Sequence, residues 1–324
     1  MKFIIMTNPG LDNKVVSELI NSKLIPTIIV TDSPFYCENK NPLKYIIKKT
    51  LLIIKYIKNR NQIKSKYQAY FLAKKYSIKL YSSQKVNSDD FVNLIKKNDI
   101  EYIFTFSFKI LKEKIFTASK YGSINFHPAL LPMNRGTSPS NWSVLQNQKI
   151  TGITFHFIDK GIDTGPIIEQ YEFNLSGYET AKILNEFLLS IGSLLLTRLI
   201  YKLDYGIKYD IKTNNSSNGS YEPPFRKEHR IISEKNTFEE IDSIIRASRI
   251  VEFGAIFRLE DIDYVIINCI NITAIEIPVF ESPFLDSKNN IVIKTKDNII
   301  AALITKDSDS KSVSGLAIRK GLQS

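Results

Sequence analysis

The first half of the chain alternates short β-branched runs with amphipathic stretches, and that alternation leaves few architectures open. Phe3–Thr7 reads as a strand ended by Asn8-Pro9-Gly10. Val15–Leu24 reads as a helix with apolar Val15, Val16, Leu19 and Ile20 on one side, and Pro26–Val30 as a second strand. Asp89–Lys97 has helical spacing, and strands follow at Tyr102–Thr105 and Ser123–Phe126. Strands separated by helices need crossover connections, which make a mainly parallel, doubly wound sheet. The expected fold class is therefore α/β and Rossmann-like. Ligands of such sheets bind beyond the carboxyl ends of the strands, so the loops after Thr7, Thr105 and Phe126 are the places to inspect.

The second half changes character. Gly177–Leu203 reads as one long helix, with Thr180, Ile183, Leu184, Phe187, Leu188, Ile191, Leu194 and Leu195 expected on one broad face. The small polar tract Asn214–Ser220 reads as a linker or mobile loop too polar to pack. Glu239–Ala247 is helical, and Tyr264–Ile267, Ile272–Val279, Asn290–Lys294 and Ile299–Thr305 read as short strands, suited to a small β-barrel. The expected domains are residues 1–205, catalytic, and 206–324, β-rich, with a linker at 206–224. Leu43–Ile57 is apolar and punctuated by lysines. It fits either a basic helix lying on an anionic membrane or a crossover helix packing Ile47, Leu51 and Ile54 on the sheet.

Of the 324 residues, 43% are hydrophobic and 24% charged, which excludes bulk disorder; 13 glycines and 2 cysteines exclude collagen-like and disulfide-scaffold classes. The net charge of +11 favours an anionic partner, although the lysines read as scattered along the chain rather than blocked. Cys37 and Cys269 have no Cys or His at metal-ligand spacing, and two unpaired thiols suit a reducing compartment. The N-terminal apolar run is too short for a signal peptide, and no uncharged stretch has the length of a transmembrane helix. The expectation is a cytoplasmic protein with no membrane insertion.

Chemistry concentrates in Gly122–Gln170. Asn125 and His127 come at the end of a strand, a Pro-punctuated polar loop follows, and two strands, Ile153–Ile158 and Pro166–Glu172, flank a turn carrying Asp163. Imidazole moves protons near neutral pH, a carboxylate orients it, and a carboxamide N–H can donate to an oxyanion. The stretch contains Asn125-Phe126-His127, Leu130-Leu131-Pro132, Arg135-Gly136, Gly152-Ile153-Thr154-Phe155-His156 and Asp163-Thr164-Gly165. In that order these sub-motifs strongly resemble the 10-formyltetrahydrofolate-dependent formyltransferases. A weaker resemblance covers the rest of the first domain and Phe225–Phe257. Asn141-Trp142 after Ser138-Pro139 looks most like the enzymes that formylate amino groups on nucleotide-linked sugars.

The resemblance implies an N-formyltransferase that moves the formyl group of 10-formyltetrahydrofolate, without a metal, to the amine of a dTDP- or UDP-linked amino sugar. Such sugars serve O-antigen and lipopolysaccharide synthesis. It implies an OB-like C-terminal domain; a homodimer is the expected assembly, since dimers are the commonest closed form. It makes His127 the base, Asn125 the donor to the formyl oxygen and Asp163 the partner of His127, with His156 a packed neighbour. It places the pterin against Phe106, Ser107, Phe108, Lys109, Ile110 and Leu111 and against Ile158, Gly161 and Ile162. Arg135, Trp142, Tyr221 and Phe225 are the candidate substrate contacts, with Tyr221 or Phe225 either stacking on the base or packing in the core. His229 reads as a surface residue. The alternative acceptor is initiator methionyl-tRNA, under which nucleic acid is the partner. A non-catalytic folate- or nucleotide-binding protein is the remaining reading.

Overall fold

The computed structural model describes residues 1–8, 14–33, 42–249, 254–273, 282–286 and 290–305. Cys37, Pro9-Gly10, the side chain of Leu43 and the 274–279 part of the expected strand lie outside them. The elements run β1 (Phe3–Thr7), α1 (Lys14–Asn21), β2 (Ile28–Thr31), α2 (Pro42–Lys58), α3 (Arg60–Lys66), α4 (Gln68–Lys75), β3 (Lys79–Ser82), α5 (Asp89–Lys97), β4 (Tyr102–Phe106), α6 (Glu113–Phe116) and β5 (Ser123–His127). There follow β6 (Arg135–Gly136), α7 (Pro139–Leu145), β7 (Ile150–Phe157), β8 (Ile167–Asn174), α8 (Ala181–Asp204) and β9 (Tyr221–Glu222). The last are β10 (Ile231–Ile232), α9 (Phe238–Ala247), β11 (Ala255–Leu259), β12 (Ile262–Asn271), β13 (Phe284–Leu285), β14 (Ile291–Lys294) and β15 (Ile300–Thr305).

Two compact units form. The first comprises Met1–Arg135, Gly152–Glu172 and Glu186–Tyr221, and the second Gly136–Thr151, Phe173–Asn185 and Glu222–Ser324. The first unit is built on a seven-stranded sheet, β3-β2-β1-β4-β5-β7-β8. Neighbours from β3 to β5 are parallel, and β7 runs antiparallel to β5. The fold is the mainly parallel, Rossmann-like one expected. Ile4, Met6, Ile28, Val30 and Ile103 from the sheet pack against Phe91, Ile95 and Ile115. Local signals agree with α5: Ser88 caps it by accepting the N–H of Phe91, Asp89 and Asp90 sit in the first turn, and Lys96 and Lys97 in the last.

The second unit carries a six-stranded sheet, β10-β11-β12-β15-β14-β13. Its core joins Ile241, Ile244 and Ile245 of α9 to Phe257, Ile266, Ile291, Ile293 and Leu303. Thr237 and Glu240 form a capping box at the start of α9. Arg246, in the segment that resembles the family after the linker, bonds Asp242, Asn147 and the carbonyl of Glu179.

Three expectations change. The helix expected from Gly177 begins at Ala181, because Gly177 has φ 90° and the Glu179 carboxylate accepts the N–H groups of Ser176 and Gly177 in a preceding turn. Its buried line is Leu184, Leu188, Gly192, Leu196 and Leu199, whereas Ile183, Phe187 and Leu194 are exposed. By length and composition α8 could cross a membrane, but half of its most apolar window is buried in the protein. In α2, Ile47, Leu51 and Ile54 are exposed and do not pack on the sheet. The crossover from β2 to β3 is sealed by α4, whose Ala69 and Ala73 are fully buried and small enough for close approach.

The third change is the polar tract. Asn214 is buried and its amide donates to the carbonyls of Asp163 and Gly165, at 2.9 and 3.0 Å. Ser220 accepts the N–H groups of Asn134 and Arg135, on its hydroxyl and carbonyl oxygens. Polar side chains pack here because backbone groups need them.

A Cβ on Gly192 would meet the Phe126 ring at 2.1 Å, so α8 lies flush on β5 only because this residue is glycine. Gly192→Ala is expected to cost about 1–3 kcal/mol by overpacking, read as a fall in urea midpoint at unchanged m-value.

Candidate active site

The site grows from strand register. Asn125 and His127 are two apart on β5 and face the same side. Asn125 lies directly opposite Thr105 of β4 and His156 of β7, and His127 opposite Thr154. Thr105 donates its hydroxyl hydrogen to Asn125 Oδ1 at 2.6 Å. The Nδ1–H of His156 donates to the carbonyl of Phe157 at 2.8 Å, which can only accept, and this leaves Nε2 to accept from Asn125 Nδ2 at 3.1 Å. The carboxamide is thereby held with its NH2 toward Asp163, whose Oδ1 is 3.4 Å away.

His127 is fully enclosed. Its Nε2–H donates to the carbonyl of Asn134 at 2.9 Å, and Nδ1 stands 3.5 Å from Asp163 Oδ2. Burial pushes its pKa below the usual 6.5; Asp163 opposes the shift, His156 adds to it, and the Asn134 bond opposes it. Near pH 7 the ring is neutral, protonated on Nε2, with the Nδ1 lone pair facing the carboxylate. Asp163, whose side chain is 13% exposed, thus meets Asn125, His127 and His156 together.

The motif residues between these groups have identifiable tasks. Gly152 leaves room for Leu130, since a Cβ there would meet the Leu130 side chain and the Tyr171 carbonyl at 2.3 Å. Thr154 Oγ1 donates to the carbonyl of Ala129 and accepts the N–H of Leu131 and the amide of Gln170, fastening the loop after His127. A Cβ on Gly165 would lie 1.9 Å from the carbonyl of Phe157, so only glycine lets the Asp163 turn lie against β7. Asn134 and Asp163 both take left-handed backbone, φ 54° and 53°, a cost that functional loops tolerate when neighbours hold them.

The expected pterin segment follows β4. Phe106 is a core side chain stacked on Phe126 at 4.2 Å, and Leu111 is buried. Ser107 and Lys109 are exposed, Phe108 is half-buried and Ile110 is exposed. Asn87 pins the backbone, donating to the carbonyl of Ile110 and accepting the N–H of Lys112. Ile158 packs on the same core cluster as Leu111, Gly161 and Ile162 are exposed, and Lys160 pairs with Glu113 at 3.0 Å across these loops. Exposed apolar side chains beside a pinned backbone edge suit a flat heteroaromatic ring.

Among the implied substrate contacts, Arg135 is half-buried and Tyr221 is 51% exposed. In the second unit the Trp142 indole N–H donates to the carbonyl of Pro223, and its ring meets Phe225 at 5.9 Å and His229 at 4.9 Å. His229 is therefore not a plain surface residue: it is half-buried in this aromatic cluster, and its Nδ1 accepts the N–H of Arg226. The residues missed from sequence are Thr105, Asn134, Asn87 and Asn214, each lying far along the chain from the group it holds or acting through its backbone. Among the described residues no group of His, Cys, Asp and Glu is placed to hold a metal.

A doubly wound sheet with a buried His–Asp–Asn cluster at its strand ends defines an α/β enzyme. Comparison with known proteins shows what the chain is similar to. The formyl transferase family model matches residues 48–200. A methionyl-tRNA formyltransferase of Thermodesulfovibrio yellowstonii is 27% identical over 76% of this chain and 80% of its own length. That of Pelotomaculum thermopropionicum is 32% identical over 52% of this chain; there the chain spans only about half of the relative, 54%. Among solved structures, an N-formyltransferase from Helicobacter canadensis, in complex with folinic acid and dTDP-3-aminofucose, has a similar fold. The TM-score is 0.61 at 20% identity, covering 94% of this chain and 99% of the other. Residues 48–200 thus carry a formyl transferase domain, whose enzymatic class is one-carbon transfer.

The electrostatics give a direct test. His127 titrates below 6.5, and because Asp163 raises its pKa, Asp163→Asn is expected to lower it further. Imidazole resonances followed by NMR against pH should show the midpoint moving to more acid pH in the variant.

Proposed function

We propose that the protein transfers the formyl group of 10-formyltetrahydrofolate to the amine of a nucleotide-linked amino sugar. The observation that carries the reading is the buried cluster of Asn125, neutral His127 and Asp163 at the end of β5. The cosubstrate supplies an electrophilic formyl carbon, and the segments 106–111 and 158–162 would hold its pterin. Asn125 Oδ1 is engaged by Thr105 and one Nδ2–H by His156 Nε2, so the N–H aimed at Asp163 from 3.4 Å is the one that turns to the formyl oxygen as charge gathers there. The C–N bond to the sugar amine forms as the amine's proton passes to His127 Nδ1, and that proton is then given to the folate nitrogen as its bond to the formyl carbon breaks. The Asn134 carbonyl keeps the other nitrogen protonated, so Nδ1 is the free base. The new N–H faces Asp163, which stabilises the imidazolium. Arg135 would hold sugar or phosphate oxygen, and Trp142 would shape the acceptor loop.

The sugar acceptor is supported by the Helicobacter enzyme, which matches this chain over nearly its full length, and by Trp142. Initiator methionyl-tRNA is the second reading, favoured by the names of the sequence relatives. A panel of dTDP- and UDP-linked 3-amino and 4-amino sugars and charged initiator tRNA, each with 10-formyltetrahydrofolate, separates them. Formylation of a sugar nucleotide with weak salt dependence is expected. Activity on tRNA alone, falling steeply with salt as ~6–10 phosphate contacts require, would reverse the assignment. His127→Asn should abolish turnover on whichever acceptor is used, with folding intact; turnover within about tenfold of wild type would remove the base role.

Half-exposed Tyr221 is the better candidate to stack on the base, since Phe225 is already engaged by Trp142 and His229. Tyr221→Ala should raise KM for the sugar nucleotide about five- to a hundredfold, the range of a ~1–3 kcal/mol stacking contact, and spare KM for the folate. An unchanged KM would place the base elsewhere.

A further inference from the structure

The lysines are not scattered. Between Pro42 and Ser88 the chain has twelve Lys and Arg and no Asp or Glu, which exceeds the net +11 of the whole protein. The remainder of the chain is close to neutral. This block forms α2, α3, α4 and β3 in the first unit.

Within the block α2 is inverted relative to an ordinary surface helix. Leu52 and Tyr56 turn inward, Tyr56 stacking on Phe71 of α4 at 5.9 Å. Ile46, Ile47, Leu51, Ile53, Ile54 and Ile57 are exposed, from 43% for Ile53 to 70% for Ile57. At 3.6 residues per turn these six side chains fill one arc of roughly 160°. Lys44, Lys48 and Lys55 border the arc on one side and Lys49 on the other, and Lys58 lies within it at the carboxyl end of the helix. The helix is 17 residues, about 25 Å of cylinder, lying on the outside of the unit.

We propose that α2 docks the protein on an anionic lipid bilayer, its isoleucine arc entering the headgroup–acyl boundary and its lysines meeting lipid phosphates. An apolar arc bounded by lysines is the pattern of a helix lying in the membrane plane. A second copy of this chain is disfavoured as the occupant, because a two-fold contact would set one basic block against another. RNA satisfies the charges but leaves six aliphatic side chains facing phosphate and sugar with nothing to bury them. An anionic bilayer meets both requirements. The proposal is independent of the acceptor, since none of these residues belongs to the site.

Cosedimentation of the full chain with vesicles tests it. Phosphatidylcholine vesicles holding about 30% phosphatidylglycerol should bind the protein at least about tenfold more tightly than phosphatidylcholine alone, and less so at high salt. The triple variant Ile47→Ser, Leu51→Ser, Ile54→Ser keeps every charge and should lose that binding about tenfold or more at unchanged melting temperature. Lys48→Glu with Lys55→Glu and Lys58→Glu should lose it as well. Equal binding to both vesicle types, or none, overturns the proposal, as does full binding by the serine variant. Wild-type protein that shifts tRNA in the same buffer while ignoring vesicles would make the block a nucleic-acid surface. A serine variant that turns a dimer into a monomer in ultracentrifugation would make the arc a contact between copies; either result also overturns the proposal.

Discussion

The site depends on β5 being held between a parallel neighbour and an antiparallel one. That register sets Thr105, Asn125 and His156 in one row across three strands, so the carboxamide is oriented on both sides before any substrate arrives. The period of two along β7 extends the same logic. Gly152, Thr154 and His156 share a face, and in turn they admit Leu130, fasten the loop after His127 and hold Asn125. A motif that looks like a string of unrelated residues is one face of one strand.

Burial and charge oppose each other at His127, and the balance sets its chemistry. Desolvation is the larger influence and keeps the ring neutral, while Asp163 waits 3.5 Å away for the cation that a proton would create. Such a carboxylate must be held without flooding the pocket with water. The turn that carries it is fastened from outside by Asn214, which spans 51 positions of sequence to reach it, and from within by Thr164 bonding Asp159. The tract after α8 therefore serves the site as a brace.

Charge is also divided across the molecule. The candidate site groups Asn125, His127 and Asp163 sit in a part of the chain whose charges nearly cancel, and the positive excess lies in the stretch from α2 to the loop after β3. Electrostatic attraction of the whole protein to an anionic surface is thus set by elements that contribute no residue to the candidate site, which leaves the pKa balance at His127 to short-range partners.

The sequence by itself determined the alternation of strands and helices, the parallel sheet and the chemical identity of the cluster. These rest on local periodicity and on residue types whose acid–base properties travel with them: Asn125, His127 and Asp163 are legible as chemistry from residue type and order alone. The start of α8, the inward face of that helix and the burial of Asn214 were not, because each is settled by a partner distant in sequence. Gly192 on Phe126 and Asn214 on the Asp163 turn are examples. Nor could sequence choose between packing and exposure for α2. An apolar arc with lysines satisfies either, and only the folded chain, in which α4 had already covered that part of the sheet with two alanines, left the isoleucines of α2 facing outward. Tautomers belong to tertiary structure as well, since which nitrogen of His127 holds its proton follows from where the carbonyl of Asn134 comes to rest.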